Sequence, residues 1–310
     1  MGEYPPRSLS LSPPPPPPPI PRPLSYNVLF REPDDILPEP LPSVELIEDS
    51  LHFINQLSAR STARVGESFV VKYGDRVKPI EAENMRFVRE QTNIMVPRVF
   101  AVYQRSIGSN KDITYIVMEH IPGDTLEFLW NKLSASEKLN IASQLQKAFT
   151  SLRAIPHSGF FGGLGRSKLM DVVFRTDEPI PTINGPFSTE DELIQGMIER
   201  YLQDCGTIMQ QKADYYSRVL PKVLRGSDKP VFTYAKFKPN NVIIRPGGDV
   251  VIVDWATAGW YPSYWEYGIS MFACGDWKDD WHAYVAEILE EFPSHYVWVL
   301  MLRLDMWSYA

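Results

Sequence analysis

TYAKFKPNNVIIRPGGDVVIVDW, Thr233 to Trp255, is the stretch on which the reading of this chain turns. A strand at Val231 to Tyr234 enters it and a short loop follows. A hairpin then carries Asn241 near its start and Asp254 at its end. Phosphoryl transfer needs such a loop: hard oxygens to place magnesium, and a carboxylate to take the acceptor's proton. Asn241 and Asp254 are of the right type for the oxygens. Between the strand and the hairpin, however, the loop has no carboxylate and carries Lys236 and Lys238 instead. A lysine ammonium donates hydrogen bonds and accepts no proton.

The rest of the chain bounds the problem. Its 310 residues suffice for one large domain or two lobes sharing a core. A formal net charge of -7 argues against a nucleic-acid binder. Two cysteines, Cys205 and Cys274, make neither a disulfide framework nor a zinc quartet and read as free thiols in a reducing compartment. No stretch reaches the roughly 18 apolar residues of a membrane span. The first residues, MGEYPPRSLS, lack the apolar core of a secretory signal. The expectation is a cytoplasmic protein with neither membrane nor nucleic acid as partner. The five histidines show no metal-ligand spacing, and no serine sits in a nucleophile elbow.

Proline divides the chain. Fifteen of its 28 prolines lie between Pro5 and Pro42, with an unbroken run from Pro13 to Pro19. Residues 1–42 therefore read as a disordered proline-rich tail, or more sharply as a polyproline ligand for an SH3 or WW-type partner. Residues 43–121 read as a β-rich lobe. VELIEDSLHFINQL has helical spacing, ARVGESFVVKYG reads as strand, glycine turn and strand, and VKPIEAENMRFVREQT as a helix. PRVFAVYQ and ITYIVME read as two further strands. Residues 122–310 read as mainly helical, with Asp124 or Thr125 and Ser134 or Ser136 as caps. The apolar end, VWVLMLRLDMWSYA, either docks into this lobe or marks a chain cut short compared with its relatives.

The fragments RVGESFVVKYG, EAENMRFVREQT, YIVMEHIPGDTL, FKPNNVIIRPGGDVVIVDW and AGWYPSYWEY, in this order and at these distances, resemble the aminoglycoside phosphotransferase family and most closely its fungal branch. The resemblance covers about Arg64 to Met301. It implies an α+β, protein-kinase-like bilobal fold similar to choline kinases, with ATP and Mg²⁺ as cofactors. It also implies roles for single residues. Lys72 resembles the lysine that holds the nucleotide phosphates, and Glu81 the helix carboxylate that orients it. Glu119 to Ile121 resemble the hinge that meets adenine. Asn241 and Asp254 resemble the magnesium ligands.

The family's loop begins His-Gly-Asp, and here those positions are Tyr234, Ala235 and Lys236. Lys236 thus stands at the catalytic aspartate. Lys238 adds a further positive charge, and Ala256 follows Asp254-Trp255 where relatives often carry a polar residue. Three readings follow. One is a kinase-fold protein that binds nucleotide but has lost efficient transfer. The second is an active phosphotransferase for an unidentified small-molecule acceptor, with a non-standard base. The third is an interaction scaffold displaying the proline tail. Asp276, Asp279 and Asp280, beside Trp277 and Trp281, read either as a site for a cationic acceptor or as a solvated acidic helix start. WYPSYWEY, Trp260 to Tyr267, reads as packing beneath the loop.

Overall fold

The computed structural model describes residues 26–310, apart from 51, 52, 58, 59, 109, 110, 158, 276 and 310. The proline run Pro13–Pro19 and Asp276 therefore lie outside the described residues. Six strands form one antiparallel sheet: β1 (Asn27–Arg31), β2 (Phe53–Leu57), β3 (Arg60–Val65), β4 (Phe69–Gly74), β5 (Val99–Ser106) and β6 (Asp112–Glu119). Their spatial order is β1-β5-β6-β4-β3-β2. Helix α1 (Val44–Glu48) packs on one face and α2 (Ile80–Gln91) on the other. The strand period of two makes this possible. Along β4, Phe69 and Val71 join Val44 and Ile47 of α1, while Val70 joins Ala82, Met85 and Val88 of α2. Lys72 therefore points to the α2 side.

Two expectations fail here. Residues 27–31, placed with the proline tail, instead pair with β5 as an edge strand. YNVLF is locally rich in strand-forming residues, and the prolines around it set the composition of the segment without breaking the strand. The helix expected over VELIEDSLHFINQL ends at Glu48, and Phe53–Leu57 pairs with β3. The polar pair Asp49-Ser50 interrupts the apolar period, and the free edge of β3 offers Phe53 to Leu57 a ladder.

The larger part is helical. It begins with β7 (Asp124–Thr125), α3 (Leu126–Leu129), α4 (Ala135–Arg153), α5 (Pro181–Asn184), α6 (Glu190–Cys205) and α7 (Gln210–Val223). Thr125 caps α3, and Ser134 caps α4 in a capping box with Glu137. Four short strands follow: β8 (Val231–Thr233), β9 (Val242–Ile244), β10 (Val250–Ile252) and β11 (Gly259–Tyr261). β9 pairs with both β10 and β7, and β8 pairs with β11. Gly123 lets β7 approach β9, because a Cβ there would lie 2.1 Å from the Ile244 carbonyl oxygen. Helices α8 (Trp265–Phe272), α9 (Trp281–Ile288) and α10 (Pro293–Tyr309) complete the described chain. Among the described residues no helix is long and apolar enough to cross a membrane.

One apolar core runs through both parts, joining Val70 and Met118 of the sheet to Leu126, Trp130, Leu145 and Phe149 below it. A second core joins Ile194, Tyr201, Tyr216 and Trp265 to Val299, Leu302 and Met306 of α10, so the apolar end docks. A buried ion pair fixes that helix. Arg303 meets Asp171 at 2.9 Å, with the two side chains 7% and 3% exposed. Removing one partner of such a pair strands the other charge in the interior. Asp171→Ala is therefore expected to destabilise the protein by about 3–5 kcal/mol in urea titration. A loss below about 1 kcal/mol, the scale of an exposed pair, would mean that the bridge does not hold α10.

Candidate active site

Strand and helix geometry bring the expected residues together. Lys72 sits on β4 with its side chain under α2, and Glu81 lies in the first turn of α2. Lys72 Nζ lies 2.6 Å from Glu81 Oε1 and 2.7 Å from Asp254 Oδ1. The other oxygen of Asp254, Oδ2, meets Lys236 Nζ at 2.5 Å. The result is an alternating row, Glu81, Lys72, Asp254, Lys236, spanning the two lobes. Asp254 is held there by a left-handed backbone, φ 65°, just past β10. Trp255 beside it is fully buried and donates from Nε1 to the Ile252 carbonyl at 2.8 Å. Asn84 of α2 donates to the Trp255 carbonyl at 2.8 Å and so ties the helix to this turn.

The row sets the charge states. Burial alone would push the Asp254 carboxyl up, but the ammoniums of Lys72 and Lys236 outweigh it and hold the group well below the ordinary carboxylate range. Burial weakens the Lys72 ammonium, yet Glu81 and Asp254 more than restore it, and its pKa rises. Glu81 goes the other way from Asp254: its carboxyl is raised, because burial outweighs Lys72 there. The geometry favours Asp254 as the firmly ionised carboxylate, since two ammoniums touch it and only one touches Glu81.

The loop carrying Lys236 is held by its backbone. Ala235 has φ 57°. The Tyr234 and Ala235 amides both donate to Glu266 Oε2, at 2.7 and 3.0 Å. Thr257 donates to the Tyr234 carbonyl at 3.2 Å, and the Tyr234 hydroxyl donates to the Val253 carbonyl at 2.5 Å. Asn241 donates from Nδ2 to the Lys236 carbonyl at 3.0 Å. Among the described residues no cluster of three or more His, Cys, Asp or Glu side chains could hold a metal ion.

A cleft of about 410 Å³ opens beside the row. Val70, Met118, Ile121, Ile243 and Val253 give it apolar walls, and Lys72, Glu81 and Asp254 close its inner end. At its rim, the Glu119 and His120 amides are already spent on Arg98 and Ser68 carbonyls, at 2.8 Å each. The Glu119 side chain is spent too. Oε2 accepts from the Arg98 amide at 3.1 Å, and Oε1 meets Arg245 beyond β9 at 2.9 Å. A recess of about 710 Å³ between Tyr26, Leu37, Pro42 and Tyr103 is larger, but it lies on the α1 side of the sheet, away from these charges.

Several residues here escaped the sequence reading. Glu266 carries the loop's amides, and its signal was a lone carboxylate inside the apolar run WYPSYWEYGISMF. Asn240 lines the cleft with a buried Oδ1 that has no hydrogen-bond partner among the described residues, and Arg60 lines its roof. Neither stood out in a polar loop. Of the acidic segment, Asp279 and Asp280 lie among the described residues and are engaged within the chain. Asp280 is occupied by Trp130 Nε1 at 2.8 Å and Lys138 Nζ at 2.7 Å, and Asp279 accepts from the Trp281 amide at 3.0 Å. Trp281 is buried in the core.

With this geometry in hand, the family follows. The chain matches the phosphotransferase enzyme family over residues 50–298 and belongs to that family. Its fold is that of solved aminoglycoside phosphotransferases. It is 16% identical to a thermostable APH(4)-Ia variant in ternary complex with AMP-PNP and hygromycin B, covering 83% of this chain and 84% of that one with a TM-score of 0.51. It is 13% identical to the GDP and kanamycin complex of APH(2")-IIia, covering 83% and 81% with a TM-score of 0.50. At such identities the likeness is one of fold. No curated protein sequence matches.

Glu266 makes the loop sensitive to pH. Burial pushes its carboxyl up from 4.5 to about 7, against the amides of Ala235 and Tyr234 and the charge of Arg153. The folded protein then binds more protons than the unfolded chain between those two values, so this contribution to stability is full below about pH 4.5 and lost as pH rises through about 7. Urea titrations across that range are expected to show stability falling with pH, and Glu266→Gln is expected to flatten the fall. An unchanged slope in the variant would remove Glu266 as its source.

Proposed function

We propose that this protein binds a nucleoside polyphosphate, ATP by resemblance, in the cleft between its lobes and transfers the phosphoryl group inefficiently. The cleft has the form such a ligand needs. Apolar side chains above and below suit a base, and the unpartnered Oδ1 of Asn240 suits a sugar hydroxyl. Lys72 at the inner end suits phosphate. Solved proteins of this fold hold AMP-PNP or GDP at the same time as an aminoglycoside, which supports a nucleotide here without naming an acceptor.

The observation that carries the second half is the contact between Lys236 and Asp254 at 2.5 Å. Lys236 does not turn away to solvent. It reaches Asp254, which lines the cleft, from the position where the resemblance puts the base. A positioned general base contributes about 10²–10⁴-fold. Positioning and electrostatics supply much of the remainder in phosphoryl transfer, so loss of the base impairs the reaction more than it impairs binding.

Titration of the full chain with a fluorescent ATP analogue tests binding. Lys72→Met, checked for folding by circular dichroism, is expected to weaken it by at least about tenfold, as for loss of a hydrogen bond to a charged group. Equal affinity in the variant would place the nucleotide elsewhere. ATP turnover tests transfer, with water as acceptor. Lys236→Asp is expected to raise it by about 10²–10⁴-fold. Turnover in the natural sequence that equals or exceeds the variant's would show that another group serves as base.

A further inference from the structure

Magnesium is the second cofactor that the resemblance implies, and the side chains as placed do not fit it. The ion demands open oxygens at about 2.0–2.1 Å in an octahedral array. Both oxygens of Asp254 already carry an ammonium, Oδ1 that of Lys72 at 2.7 Å and Oδ2 that of Lys236 at 2.5 Å. The Asn241 amide is turned to its own loop, donating to the Lys236 carbonyl. A divalent ion at Asp254 would have to displace one ammonium and then remain beside two like charges.

We propose that the Lys236 ammonium is the site's built-in counter-cation, so that the cleft takes a metal-free nucleoside polyphosphate. This rests on the nucleotide reading above. Lys72 and Lys236 face Glu81 and Asp254, so the row is neutral before any ligand arrives. A carboxylate at position 236 would leave it two charges more negative, the deficit that one divalent cation makes up. Lys236 has three N–H donors and spends one on Asp254, which leaves others for phosphate oxygens. Arg60 lines the same cleft. Lys238 follows Lys236 two residues further along the same loop.

The exchange has a chemical consequence. An ammonium matches a metal ion in attracting phosphate but does not impose coordination geometry. It therefore holds the polyphosphate without fixing the in-line arrangement that transfer requires.

Calorimetric titration of the full chain with ATP, once in excess EDTA and once in excess Mg²⁺, tests the idea. The affinity in EDTA is expected to equal or exceed that in Mg²⁺, because excess Mg²⁺ draws ATP into its magnesium complex. In Lys236→Asn, binding in EDTA is expected to weaken by at least about tenfold and to recover when Mg²⁺ is added. Binding by the natural sequence only in Mg²⁺ would overturn the inference and leave the nucleotide reading standing. Binding in both buffers by both proteins would show that Lys236 is not the counter-cation. Absence of binding in either buffer, by a sample shown to be folded, would overturn the nucleotide reading and the inference with it.

Discussion

The row of four charges from Glu81 to Lys236 is the constraint around which the lobes are arranged. Each of these ions is costly to bury alone, and each is tolerable because an opposite charge touches it. The row is unsymmetrical in what its members support. Lys72 and Asp254 each hold two partners, whereas Glu81 and Lys236 each hold one. Loss of an inner member strands its outer neighbour completely, Glu81 without Lys72 and Lys236 without Asp254. Loss of Lys236 strands none completely, since Asp254 keeps Lys72. Of the two outer members, Lys236 is the more exposed, 25% against 3% for Glu81, and so the one the fold can most easily exchange.

Backbone hydrogen bonding explains how the loop keeps its shape while its chemistry changes. Glu266 binds the amides of Tyr234 and Ala235, Thr257 binds a carbonyl, and Asn241 binds another. None of these contacts involves the side chain at 236. The loop geometry is thus independent of whether that side chain is a carboxylate or an ammonium.

Much of this was legible in the sequence, and the parts that were not have physical reasons. Alternation in FVVKYG and helical spacing in EAENMRFVREQT put Lys72 and Glu81 on elements whose geometry then forces them together. Asp254 stood out because a carboxylate after VVIV needs a cation. Local pattern failed where tertiary pairing decided the outcome: Asn27–Arg31 and Phe53–Leu57 are strands because the sheet has edges to offer them. The direction of Lys236 was also illegible. A lysine stem reaches solvent from most loop positions, and only the placement of Asp254 opposite turns it inward. Asp280 shows the converse, since its partner Lys138 lies 142 residues away and nothing near it in sequence announces the bond.

The two lobes are fastened at both ends of the cleft. At the inner end the row of charges crosses from β4 and α2 to the loops below. At the rim Glu119 joins the Arg98 amide to Arg245 beyond β9. A cleft fastened in this way is formed before a ligand enters, so less of the binding energy goes into closing it. The same fastening opposes the opening and closing that turnover commonly requires. Two separate contacts, Lys72 with Asp254 and Glu119 with Arg245, thus hold the cleft in one shape.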